Sequence, residues 1–126
     1  MVAVDICSNI YRVGNIPEDV KDKASTHMPN IECPDVVKRG EKFKVRIFIK
    51  DHPNRIDHYI SHIDIYFTEE DRQFNPIHIA RINLVPEYSH PELCITLTLR
   101  KSGYLHVIAY CVNHGLWEST KKIVVE

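Results

Sequence analysis

From residue 43 onward the chain alternates apolar and polar residues with a period of two, and nothing else in it limits the fold so strongly. Phe43, Val45, Ile47 and Ile49 alternate with Lys44, Arg46 and Lys50, with Phe48 the one apolar residue on the other face. Successive side chains of a strand point to opposite faces, so this pattern buries one face and wets the other. The alternation returns at Ile63, Ile65 and Phe67, at Leu93, Ile95, Leu97 and Leu99, and at Leu105, Val107, Ala109 and Cys111. Shorter candidates lie at 30–33, 77–84 and 119–125. Segments such as "KRGEK", "HPNRID", "EEDRQFNP", "PEYSHPE" and "RKSG" carry the Gly, Pro, Asn and Asp that turns require. About seven short strands without a long amphipathic helix predict an all-β protein, an immunoglobulin-like seven-stranded antiparallel β-sandwich. The polar stretch "IPEDVKDKAS" before them predicts a short helix or a loop.

At 126 residues the chain is expected to form a single domain. Its 16 basic and 17 acidic residues leave a formal charge of −1, which argues against a nucleic-acid or membrane partner. The start "MVAVDICSNI" lacks the pattern of a secretory signal, and no apolar run approaches the ~20 residues that span a bilayer. A soluble, cytoplasmic protein is the expectation. Cys7, Cys33, Cys94 and Cys111 show no disulfide-framework spacing, which suits a reducing compartment. The first three are expected to be small apolar fillers.

Four of the eight histidines fall in loops: His27 in "STHMPN", His52 and His58 in "DHPNRIDH", and His114 in "CVNHGLW". His52 and His58 bracket a Pro-Asn turn, so both rings can approach one point. Cys111 ends a strand whose odd positions face the core, and Gly115 permits a tight turn that brings His114 back toward the thiol. Four nitrogens and one sulfur from three segments suit Zn, Cu or Fe alike. A lone C-x-x-H also arises by chance, so the weight rests on the joint order of the three segments. His62, His78, His90 and His106 sit in strands or polar turns and read as ordinary hydrogen-bonded residues.

That order, "THMPNIE", then "HPNRIDHYISHIDIYF", then "YCVNHGLWE", resembles the superoxide reductase family in its short single-iron form, the neelaredoxin type. The resemblance runs from about residue 23 to the end. It implies that His27, His52, His58 and His114 are the equatorial ligands of a mononuclear non-haem iron and that Cys111 is its axial thiolate. It further implies one-electron reduction of superoxide to hydrogen peroxide without release of dioxygen, a rubredoxin-like electron donor and a homotetramer. Only Cys7 precedes the domain, so the additional four-cysteine rubredoxin-like domain of the two-iron form is not expected.

One departure stands out. Family members commonly carry Glu-Lys before the first histidine ligand, where the lysine attracts superoxide and the glutamate caps oxidised iron; this chain has Ser25 and Thr26. Lys21 or Lys23 is the expected substitute for the positive charge, and Thr26 a candidate proton donor. Two other classes compete. A cupredoxin-like electron carrier would use a Cys and two His with a late axial Met, but no Met follows Met28. A metal-free immunoglobulin-like interaction module would show a Cys…Trp…Cys order, but Trp117 follows Cys111.

Overall fold

A computed structural model describes residues 5–126. Three-residue β1 (Asn30–Glu32), β3 (Phe43–Phe48) and β6 (Glu92–Leu97) form one sheet in the order β1-β3-β6. The second sheet holds β2 (Val36–Val37), β4 (Ile60–Glu69), β5 (Ile77–Asn83), β7 (Gly103–Cys111) and β8 (Gly115–Val125), in the order β2-β8-β7-β4-β5. The fold is therefore all-β and two-layered, with eight strands among the described residues where the alternation predicts seven. The extra strand is Val36–Val37, which runs parallel to β8. Two residues cannot display a period, so no alternation could reveal it.

Odd-numbered residues fill the space between the sheets. Val45, Ile47, Ile63, Leu105, Val107, Ala109, Cys111 and Ile123 are all fully buried. Removing such aliphatic side chains from water stabilises by ~1.5–3 kcal/mol each, so the alternation is itself the driving force for the layered arrangement. Cys94 falls on an even position of β6, opposite Arg46, and is exposed; Cys7 is exposed in the N-terminal turn. These two thiols are therefore not core fillers, because register rather than residue type decides burial. Cys33 is half-buried.

The N-terminal segment becomes three short turns. Ile6–Asn9 and Glu18–Lys23 are 3-10 helices, and Ala24–His27 is a single α-turn, α1. Pro29 bars the helical conformation at Met28, which is extended (φ −71°, ψ 125°), so the helix stops with His27 in its last turn. Tyr11 pairs with β8: its N–H donates to the Leu116 carbonyl (3.0 Å) and its carbonyl accepts from the Glu118 N–H (2.8 Å). This strap ties the described N-terminal segment to β8 beside Trp117. No helix among the described residues is long and apolar enough to cross a membrane.

Candidate metal centre

Three local structures aim side chains at one point. The first is α1, which carries His27 inward so that the ring is only 3% exposed. The second is the loop between β3 and β4. Its 55–58 segment is a closed turn, since Arg55 and His58 each donate an N–H to the other's carbonyl at 3.0 Å. The third is the β7–β8 hairpin, where Cys111 pairs with Gly115 and residues 112–114 form the turn. Gly115 adopts φ +79°, a conformation that costs glycine little and other residues more, so the turn closes tightly after His114.

One donor atom from each of His27, His52, His58 and Cys111 lies within 4.8 Å of the others. His114 completes the cluster through Nδ1, which is 3.1 Å from His27 Nε2 and 3.7 Å from Cys111 Sγ. The rings of His27, His52, His58 and His114 stand mostly edge to face, with centroids 4.6–5.0 Å apart for His27–His52 and His27–His114. Five nitrogen and sulfur donors thus converge from three segments.

Hydrogen bonds on the outer side of the cluster set the tautomers. His52 Nδ1 lies 2.7 Å from the Pro53 carbonyl and His27 Nδ1 2.9 Å from the Lys23 carbonyl. A carbonyl only accepts, so each ring carries its proton on Nδ1 and turns the Nε2 lone pair inward. His52 Nε2 and His58 Nε2 are buried and lack a hydrogen-bond partner among the described residues. Buried polar atoms are nearly always paired, so inward lone pairs left open are what a metal ion would satisfy. Neutral imidazole with thiolate is a donor set for Zn, Cu or Fe.

Electrostatics keep the rings of His27, His52 and His58 in the ligating form. Burial, with the neighbouring imidazoles adding to it, holds His27 down to about 4 against the partly compensating Lys23 carbonyl. His52 and His58 are also lowered, chiefly by burial. The Lys23 ammonium contributes to the lowering at His58, so its field reaches the cluster. Lys21 is engaged elsewhere, 2.8 Å from Glu18. Thr26 places its hydroxyl 2.9 Å from His27 Nδ1, on the side of the ring away from the inward lone pair.

An open cavity of about 390 Å³ adjoins the cluster, lined by Asn9, Tyr11, Lys23, Asn113, His114 and Trp117 among others. Trp117 is fully buried, packs 5.0 Å from the His27 ring, and donates from Nε1 to the His114 carbonyl at 3.1 Å. Tyr11 packs on it at a tilt of 36°, with ring centroids 4.5 Å apart. Tyr11 and Trp117 thus support two of the clustered histidines; the "HGLW" run places Trp117 near the site, whereas no sequence pattern links Tyr11 to it. The remaining histidines are occupied elsewhere: His78 with Asp64 (3.0 Å), His106 with Thr68 (2.7 Å), His62 with Ser61 (3.1 Å) and His90 with Asn54 (3.4 Å).

Known proteins share this arrangement's setting. The superoxide reductase (neelaredoxin) structure from Ignicoccus hospitalis superimposes with a TM-score of 0.92 at 42% identity, covering 98% of this chain and 100% of that one. The superoxide reductase of Pyrococcus abyssi is 34% identical over 103 residues, 77% of this chain and 86% of its own. Neelaredoxin from Megalodesulfovibrio gigas is 28% identical over 119 residues, 82% of this chain and 91% of its own. The Desulfoferrodoxin family pattern matches residues 19–120, a span that contains all five converging donors, and with it the chain belongs to the desulfoferrodoxin family.

Proposed function

We propose that this protein is a superoxide reductase whose iron is held by His27, His52, His58, His114 and Cys111. The observation that carries the reading is the convergence of four inward imidazole nitrogens and one thiol within a desulfoferrodoxin-family fold. Iron held by these residues would supply one-electron chemistry toward superoxide, and with that electron restored by an external reductant and two protons taken up the product would be hydrogen peroxide without dioxygen.

The chain's own residues do the rest. Four neutral imidazoles and one thiolate offset only one unit of a ferrous ion's charge, so the site stays attractive to a small anion. Cys111, buried at the end of β7, would hold the metal through its sulfur and supply it with electron density, a lever also used in thiolate-ligated haem. Trp117, backed by Tyr11, packs against the His27 ring and holds the His114 turn through its Nε1–H. Lys23 lines the open cavity and supplies positive potential on the approach. A small rubredoxin-like protein is the proposed electron donor, a homotetramer the proposed assembly and the cytoplasm the proposed compartment. The deciding measurement is anaerobic superoxide consumption with peroxide and dioxygen yields: peroxide alone is expected, and dioxygen in equal yield would indicate dismutation instead.

The ligand set makes its own forecast. His52→Ala and His58→Ala should each bind well below one equivalent of iron, since each removes one of five donors. His90→Ala and His106→Ala should bind a full equivalent by elemental analysis. Full iron in His58→Ala would move the site away from the 52–58 loop.

The two lysines separate as well. Lys23→Ala should slow the second-order step with superoxide by up to about tenfold at low salt, the lower end of what electrostatic steering gives. The effect should fade as ~0.1 M salt shortens the Debye length to ~10 Å. Lys21→Ala, whose ammonium is paired with Glu18, should leave the rate near that of the parent. Pulse radiolysis across ionic strength decides this; a Lys23→Ala rate and salt slope equal to the parent's would remove Lys23 from the approach path.

A further inference from the structure

We infer that Thr26 is a positioning residue, whose hydroxyl and the Lys23 carbonyl together clamp the His27 ring so that Nε2 faces the donor cluster. This rests on the metal-centre reading above. Three atoms close a triangle: Thr26 Oγ1 is 2.9 Å from His27 Nδ1 and 3.2 Å from the Lys23 carbonyl, which is itself 2.9 Å from His27 Nδ1.

One proton arrangement satisfies all three contacts. The carbonyl can only accept, so the Thr26 hydroxyl donates to it, and the hydroxyl lone pair is left for the Nδ1–H, which the two oxygens share. The opposite tautomer would set the Nδ1 lone pair against the carbonyl oxygen. The clamp therefore fixes the proton on Nδ1 and the lone pair on Nε2, 3.1 Å from His114 Nδ1. Helix α1 cannot hold the ring by itself, since a four-residue turn has almost no intrinsic stability. A β-branched hydroxyl residue suits the task because its χ1 is restricted. An ammonium at position 26 could not do it, having donors and no acceptor.

The test uses metal-free protein titrated with cobalt(II), which accepts the same nitrogen and sulfur donors and reports through its thiolate charge-transfer absorption. Thr26→Val keeps the shape and removes the hydroxyl. Losing an outer partner of a ligating histidine costs ~10–100-fold in metal affinity, and because the Lys23 carbonyl remains, about tenfold is expected here. Thr26→Ser should recover most of the affinity, and the metal-free thermal midpoint of both variants should match the parent. Equal affinity in Thr26→Val overturns the inference. So does a Thr26→Ser protein as weak as Thr26→Val, or an affinity loss matched by lost stability, since either would make the role one of packing. A parent protein that consumes no superoxide while the affinity order holds would reject the enzyme reading and leave the clamp standing.

Discussion

Replacing Cys111 with serine is expected to abolish the thiolate-to-iron absorption band and most of the superoxide reduction. Serine nearly preserves the volume, but its hydroxyl stays protonated at neutral pH and is a poor anionic donor. The site is dry at this point: Cys111 is 0% exposed and its Sγ lies 3.7 Å from His114 Nδ1. A buried hydroxyl there costs about 1–3 kcal/mol if it finds no partner, so iron affinity and local packing both suffer. The loss of activity should exceed the ~10–100-fold that follows removal of a mere supporting partner. Cys94→Ser is the control. That thiol is exposed on the even face of β6, and its replacement should leave spectrum and rate unchanged. A native band in Cys111→Ser would show that the Cys111 sulfur is not a donor to the metal.

What the sequence makes legible follows the physics of each feature. A period of two is a direct imprint of strand geometry, so the inward residues of β3, β4 and β7 can be named from alternation alone. Gly115 is equally readable, because a positive φ after a strand-ending Cys-x-x-His leaves few alternatives. Long-range contacts leave no such imprint. Tyr11 meets Trp117 across more than a hundred residues, and neither residue type announces the other. Lys21 and Lys23 look alike in sequence; only the folded chain shows that one ammonium pairs with Glu18 while the other lines the cavity beside His114. The hydroxyl of Thr26 is the sharpest case. The family resemblance offers it as a candidate proton donor; its contact in the fold is with the outer nitrogen of His27, which depends on the helical turn that carries both residues. Asp64 likewise stands on the outward face of β4 but is 6% exposed, because Arg81 and His78 of β5 fold over it.

Metal-free protein is expected to lose stability as the pH falls from about 6.5 to about 4, before the general acid unfolding of carboxylates. The sign follows from His27. Burial holds its folded value near 4, whereas an unfolded histidine titrates at ~6.5. Between those values the unfolded chain binds more protons than the folded one, so lowering the pH favours unfolding. The contribution is fully present above 6.5 and is lost on the way to 4. At ~1.4 kcal/mol per pH unit, His27 alone accounts for on the order of 3 kcal/mol, and His52 and His58, shifted in the same direction, steepen the fall. A second window lies lower. Burial alone would raise the Asp64 carboxyl, yet its hydrogen bonds to Arg81 and His78 hold it below the usual range. Its share of stability therefore disappears only below about 4, the region where unfolded aspartate takes up its proton. Urea midpoints of the chelator-treated protein across this range should show a slope between about 6.5 and 4 that is reduced in His27→Gln. Iron-loaded protein should hold its midpoint further into acid, because protons must displace the metal from its ligands before the rings can charge. A flat profile for the metal-free chain over that interval would mean that His27, His52 and His58 are not held neutral by burial, and that their inward lone pairs are not preorganised for a metal ion.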